Sequence, residues 1–394
     1  MALSGLVLRN CTVYAPECLG SAEVAVLERR VFSCGGDAWR ALKDVPGVEL
    51  QEVDCEGGMV LPGLVDIHLH FGGAGGEGGP IYRTPPLQLS DLARAGITSA
   101  VGLLGTDGCC RSLRDLLMKA RALDEEGVST WIYTGAYQIP GPTLTGDILS
   151  DLMLIDKVVG LKISCSDHRA SQVSPDAIRT AAAQSRVGGI MAGKSGAVMV
   201  HIGVGNDRLL PLLQAAAESD IPLTQFIPTH LNRSEDVLRQ AIAYALEGGR
   251  VDLTSGVSER CCFPGAVKPS LAAAELLRAG VPLEHISMSS DGNGVMTKID
   301  EKNGSKQPLM APAESLLQEF LDMIREGIPP ETASRICSAN PAGALQLPGG
   351  KGHIREGGDA DLLVLDRDLN LRLVLARGRK LLEGNWVAKG TFER

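Results

Sequence analysis

Eight short β-rich runs recur between residues 59 and 292, and that count most constrains what the chain can fold into. They are Met59–His70, Ile97–Leu104, Thr130–Tyr137, Val158–Ser164, Ala197–Gly203, Pro222–His230, Val251–Gly256 and His285–Gly292. Glycine-rich or polar turns follow them, and segments with apolar residues at helical spacing lie between. Leu113, Leu116, Leu117, Ala120 and Leu123 form one such stripe. Val237, Leu238, Ala241, Ile242 and Ala245 form another, behind Ser234 as N-cap and stopped by Gly248 and Gly249. Ala272–Ala279 and Leu316–Ile324 read the same way. Eight strand-then-helix units predict a (β/α)8 TIM barrel over residues 59–349. A doubly wound sheet is the alternative, and the regular spacing favours the barrel.

The chain ends differ from the middle. Residues 1–58 and 350–394 hold short strand-like runs separated by glycine and charged turns. Neither end is long enough to make a sheet core alone. The expectation is one small composite β domain, a β-sandwich built from both ends beside the barrel. The polar segment Asn293–Pro312 reads as a long loop or hairpin after the eighth strand, either a lid over the mouth or a surface insertion.

Charge and cysteine usage exclude several classes. The net charge is −9 with no long basic tract, which disfavours nucleic-acid binding. No run reads as a membrane span, and MALSGLVLRNCTVYAPE has no basic n-region. A cytoplasmic protein is the expectation, and its ten cysteines, none in a CxxC, read as reduced buried thiols.

Only seven histidines are present, yet LVDIHLHF places His68 and His70 two apart. Side chains at i and i+2 on a strand point to one side. Asp66, His68 and His70 would then face the barrel interior, while Val65, Ile67 and Leu69 face the helices. Such a pair serves as a metal grip or as a satisfied polar core, and alone it does not decide. The other strand ends add weight. Lys162, His201, His230 and Asp291 lie near the C-terminal ends of four more runs, where active-site residues of barrels gather. Burying charge at each of these places costs several kcal/mol unless a partner or ion compensates. Imidazole and carboxylate suit Zn2+, with Mn2+, Co2+ and Fe2+ as substitutes. His68, His70 and Asp291 would hold one ion, and His201 and His230 a second. Paired ions roughly 3.5–4 Å apart need a bridge. Lys162 provides one only if burial neutralises it and CO2 converts it to a carbamate.

In this order these residues resemble the amidohydrolase superfamily: HxH on the first strand, a carboxylated Lys on the fourth, His on the fifth and sixth, Asp on the eighth. SANPAGALQL (338–347) and GHIREGGDADLLVLD (352–366) are similar too. Within it, GGAGGEGGP, LLGTDG, TGAYQIPGPTLTG, LKISCSDHRA, PTHLNR and SSDGNG most resemble the isoaspartyl (β-aspartyl) dipeptidases. The resemblance implies two divalent ions, a carboxylated Lys162, a homo-oligomer (an octamer), and a dipeptide substrate bound by Gly75, Glu77, Thr106, Arg169 and Arg233. It implies attack by a metal-bridging hydroxide on the side-chain amide. Asp291 would move the proton and Tyr137 would donate to the oxyanion. One departure stands out: Val295 occupies a position where that family usually has a serine that helps bind substrate. The arginines could also be surface ion pairs, and Tyr137 packed core. Alternatives keep the metals and change the amide, as in dihydroorotase-like, hydantoinase-like or N-acyl amino acid deacylase activity. A metal-free scaffold is a further one, and the presence of all six ligands speaks against it.

Overall fold

A computed structural model describes residues 3–43, 45–257, 265–299 and 306–394. All eight expected strands form, at Leu64–Leu69, Ile97–Gly102, Ser129–Gly135, Val158–Cys165, Ala197–Ile202, Phe226–Thr229, Val251–Thr254 and Ile286–Ser289. The first six make one parallel sheet in chain order, and the last two pair in parallel. Two seams close the ring. Leu231 N donates to Asp252 O (3.4 Å) between the sixth and seventh strands, and His70 N donates to Gly292 O (3.0 Å) between the eighth and first. The architecture is a (β/α)8 barrel with a second sheet made from both chain ends.

The barrel strands are buried along their length apart from the half-buried Trp131, which explains why the runs read as largely continuous Val, Ile and Leu stretches. Leu161 and Ile163, Val198 and Val200, and Leu253 and Met288 share a core with Leu116, Leu123, Ile178 and Leu238 of the surrounding helices. Val65 and Ile67 join another cluster, with Tyr133, Met199 and Ile227 and with Ala342–Leu347 near the chain's last helix. The helices start where side chains can cap them. Ser112 accepts from Asp115 N (3.1 Å) ahead of Leu113–Glu126, and Ser234 from Val237 N (3.2 Å) ahead of Glu235–Leu246. In the SANPAGAL stretch, Asn340 Nδ2 donates to Leu283 O (2.7 Å) and Ile286 O (2.8 Å), fastening the last helix to the foot of the eighth strand.

The second sheet has eight strands. Val48–Pro62 runs parallel to Leu3–Tyr14 on one side and antiparallel to Leu362–Leu365 on the other, so the two chain ends meet there. Leu8, Val13, Val24, Val26, Val60, Leu362 and Leu375 fill its own core. Leu363, Val374 and Leu382 pack with the barrel core instead. One correction concerns Met59–Pro62, expected as the start of the first barrel strand. Met59 pairs with Thr12 and Leu365, and Val60 with Val13, within the end-built sheet. The chain changes sheets at Gly63, whose N–H goes to Asp361 O (2.9 Å).

Within the segment read as Asn293–Pro312, Val295–Ile299 pairs antiparallel with Lys306–Met310, and residues 300–305 lie outside the described residues. Its base is packed, with Met296 buried among Val257, Ala266 and Ala311. The expectation of buried thiols needs correction as well. Cys11, Cys55, Cys165 and Cys337 are buried and Cys34 is intermediate, but Cys18, Cys109 and Cys110 are exposed. Cys109 and Cys110 follow the second strand in a surface turn whose amides both go to Asp107 Oδ1 (3.0 and 2.7 Å). Cys261 and Cys262 lie outside the described residues. No described helix is long and apolar enough to cross a membrane.

Candidate active site

The six predicted metal ligands lie in or just past the barrel strands, and Gly75, Glu77, Thr106, Tyr137, Arg169 and Arg233 lie in the loops that follow them. His68 lies in the first strand and His70 just past its end, Lys162 lies in the fourth, and His201 in the fifth. His230 directly follows the sixth strand and Asp291 lies two residues past the eighth, both in left-handed backbone (φ 68° and 54°). That conformation is uncommon for residues other than glycine, and it turns the chain sharply out of the strand at both places.

Three of the six form a compact group. The Nε2 atoms of His68 and His70 lie 3.2 and 3.1 Å from Asp291 Oδ1. This is the set among the described residues whose donor atoms lie close enough together for one ion. Lys162 Nζ is 3.4 Å from His68 Nε2, so the lysine stands at the edge of that group. Its ammonium is fully buried, and burial lowers its pKa to about 7, against the pull of Asp291 and Asp252. Burial also pushes His68, His201 and His230 well below the usual imidazole range, aided by Lys162 at His68 and Arg233 at the other two. Neutral imidazoles are the form that ligates metals. At Asp291 burial acts upward but is outweighed by His68, His70 and Lys162, which hold the carboxyl below its usual range.

His201 and His230 stand next to this group rather than in it. Their ring centroids are 4.5 Å apart, and His230 is 5.2 Å from His68. His201 Nε2 contacts Asp167 Oδ2 at 2.8 Å. A carboxylate only accepts, so Nε2 carries the proton and Nδ1 keeps its lone pair. That Nδ1 meets Tyr137 Oη at 2.6 Å. His230 Nδ1 pairs with Thr254 Oγ1 (2.7 Å), and its Nε2 is buried with no hydrogen-bond partner. The Nδ1 atoms of His68 and His70 are in the same state. The Nε2 atoms of His68 and His70 converge on Asp291 Oδ1 and that of His230 is buried without a partner, which suits a cation better than a satisfied polar core, so the donor set fits divalent metal. The fit is direct for His68, His70 and Asp291. For His201 it requires Tyr137 to yield Nδ1.

Asp167 escaped the sequence reading. It fixes the His201 ring, as carboxylates do for metal-binding histidines. It also takes both arms of Arg169, at Nε (2.9 Å) and Nη2 (2.7 Å). Its position two residues before Arg169, just past the fourth strand, was the available signal. A buried polar floor was also missed: Asp252 accepts from Thr229 (2.7 Å), Ser287 (2.7 Å) and Ser289 (2.6 Å).

Around the mouth, Glu77 Oε1 accepts from Thr106 Oγ1 (2.8 Å) and Arg169 Nη1 (3.3 Å). Arg233 is buried, donates to Ile202 O (2.8 Å), and comes within 3.3 Å of His201 Nε2. Gly75 has φ 84°, and a Cβ there would sit 2.2 Å from Tyr82 O and 2.4 Å from Val295 Cγ2. Only glycine fits, and Val295 therefore packs onto the same loop that carries Glu77. His168 is exposed and His285 precedes the eighth strand, so neither joins the site.

The amidohydrolase family profile matches residues 59–391. The chain belongs to the amidohydrolase family. The β-aspartyl dipeptidase of Fervidobacterium islandicum, solved with β-Asp-Leu, is 34% identical, covers 99% of this chain and 100% of its own, and superposes with a TM-score of 0.88. The dihydropyrimidinase of Brevibacillus agri shares the fold at 17% identity over 98% of this chain and 96% of its own (TM-score 0.66). An imidazolonepropionase of Anaeromyxobacter is 34% identical over 148 residues, and the match spans 35% of each chain.

Proposed function

We propose that this amidohydrolase-family protein hydrolyses the isopeptide bond of β-aspartyl dipeptides with two divalent cations, most simply Zn2+. The grouping of His68, His70 and Asp291 beside a buried Lys162, ringed by Glu77, Arg169 and Arg233, carries the reading. The 34% identity with a β-aspartyl dipeptidase over 99% of the chain supports it.

His68, His70 and Asp291 would hold one ion, His201 and His230 the other, with Lys162 as a carbamate between them. When bound, the metals supply a hydroxide at neutral pH and polarise the scissile carbonyl. The protein's own groups do the rest. Asp291, ionised at neutral pH, takes the nucleophile's proton and returns it to the leaving amine. Tyr137 donates to the developing oxyanion. Glu77, anchored by Thr106, pairs with the substrate's α-ammonium. Arg169 and Arg233 face its carboxylates, and Gly75 gives the backbone room to approach.

The deciding experiment is a turnover screen of metal-loaded protein on β-Asp-Leu, α-Asp-Leu, dihydroorotate and N-acetyl amino acids, with metal content measured alongside. Turnover of β-Asp-Leu alone is expected. Preference for the cyclic or acylated substrates would move the protein to another amidase class, and absence of both metal and turnover would leave a scaffold.

Two further results are expected. Tyr137→Phe should lower kcat about 10²- to 10³-fold, the scale for one oxyanion donor, with metal content unchanged. A kcat within threefold of wild type would return Tyr137 to simple packing. Lys162 should react with CO2 only when neutral. With a pKa of about 7, its neutral fraction rises from about one tenth at pH 6 to about nine tenths at pH 8. The ¹³C signal of a ¹³CO2-derived carbamate, at fixed dissolved CO2, should climb across that interval. A flat profile would contradict the neutral-lysine route.

A further inference from the structure

The glycine-rich loop that presents Gly75 and Glu77 is held by a side chain that neither the metals nor the substrate need. Arg111 lies five residues after Thr106 and next to Ser112, the cap of helix Leu113–Glu126. Its guanidinium donates to Gly72 O through Nη1. Through Nη2 it donates to Ala74 O (3.1 Å) and Thr84 O (2.8 Å). Those carbonyls lie on the loop's entry and on its return, so one planar fork draws the two together. Arginine suits this task because its donors are fixed in one plane, whereas lysine offers a single point.

The loop's base is crowded to match. A Cβ on Gly73 would sit 2.3 Å from Thr84 O and 2.9 Å from Arg111 Nη1. A second clasp ties the same base to the metal strand. Thr84 Oγ1 donates to Asn293 O (2.7 Å), and Asn293 Nδ2 donates to His70 O (3.0 Å) and Pro85 O (2.7 Å). Arg83 pairs with Asp107 (2.6 Å) on the return limb. Left alone, six glycines from position 72 to 79 would sample many conformations, so these clamps decide where Glu77 points.

We propose that Arg111 is a positioning residue for substrate binding: it holds the Gly72–Thr84 loop closed so that Glu77 meets the cationic end of the substrate. The identity of that cationic end rests on the dipeptidase reading; the clamp does not. Arg111→Lys and Arg111→Met should raise KM for β-Asp-Leu about 10- to 100-fold, the scale of lost hydrogen bonds from a charged donor, with kcat within about threefold. Because Arg111 acts through Glu77, the double variant Glu77→Gln/Arg111→Met should exceed the KM of Glu77→Gln by no more than about twofold. Hydrogen exchange of full-length Arg111→Lys should accelerate at least about tenfold in 72–84 and stay unchanged elsewhere. An unchanged KM, an equal fall in kcat, or additive effects in the double variant would overturn the proposal. If the wild type does not cleave β-Asp-Leu, the dipeptidase reading fails by itself and the exchange measurement still decides the clamp. Acceleration confined to 72–84 supports it, and unchanged or chain-wide exchange refutes it.

Discussion

Asp291→Asn is expected to lower kcat by about three orders of magnitude or more while the protein stays folded, because it removes the group assigned to carry the proton. The geometry makes this the most damaging single exchange. Asp291 Oδ1 lies within 3.2 Å of both His68 Nε2 and His70 Nε2, so the amide would occupy the same space. The carboxylate, however, is held ionised by those rings and by Lys162 despite its burial. An amide has no comparable basicity and cannot accept the nucleophile's proton. Steady-state kinetics, metal analysis and circular dichroism should be run on the same preparation. Retained kcat with full metal content would remove Asp291 as proton carrier. Loss of metal together with activity would leave it a ligand only.

Lys162→Ala should be nearly as severe, through a different route. The side chain is fully buried and reaches within 3.4 Å of His68 Nε2. Without it no bridging anion stands between the two halves of the proposed metal centre, and the variant should bind less than half the wild-type metal. Activity should fall by about 10³-fold or more, the loss expected when metal-generated nucleophile is absent. A short carboxylic acid such as formate has two oxygens and one charge, as the proposed bridge requires. Millimolar formate should therefore restore part of the metal and part of the turnover. Full metal occupancy in Lys162→Ala without added acid would contradict the carbamate bridge.

The strands and the polar groups at their ends were legible from sequence for one physical reason. Barrel strands are buried on both faces, so a charged or imidazole group inside such a run is conspicuous. His68, His70, Lys162, His201, His230 and Asp291 all stand out in this way, and the structure brings them to one end of the barrel. Asp167, Asn293 and Arg111 do not stand out, because their meaning lies in partners distant along the chain. Arg111 serves carbonyls 27 to 39 residues away, and no periodicity announces that. The sheet change at Gly63 was hidden for a related reason. Met59–Pro62 and Leu64–Leu69 are both apolar and extended, so the run reads as one strand until its pairing partners are known. The cysteines misled because composition says nothing about which turn a residue occupies.

The seam between the first and eighth strands has a consequence for how the molecule comes together. His70 and Asp291 are 221 residues apart, and they meet where the ring of strands closes. An intermediate missing its last strand has two imidazoles and no carboxylate, hence no three-point grip. A cation held there as proposed would latch the completed cylinder, and chelation would then loosen the terminal strand first rather than melt the ring evenly.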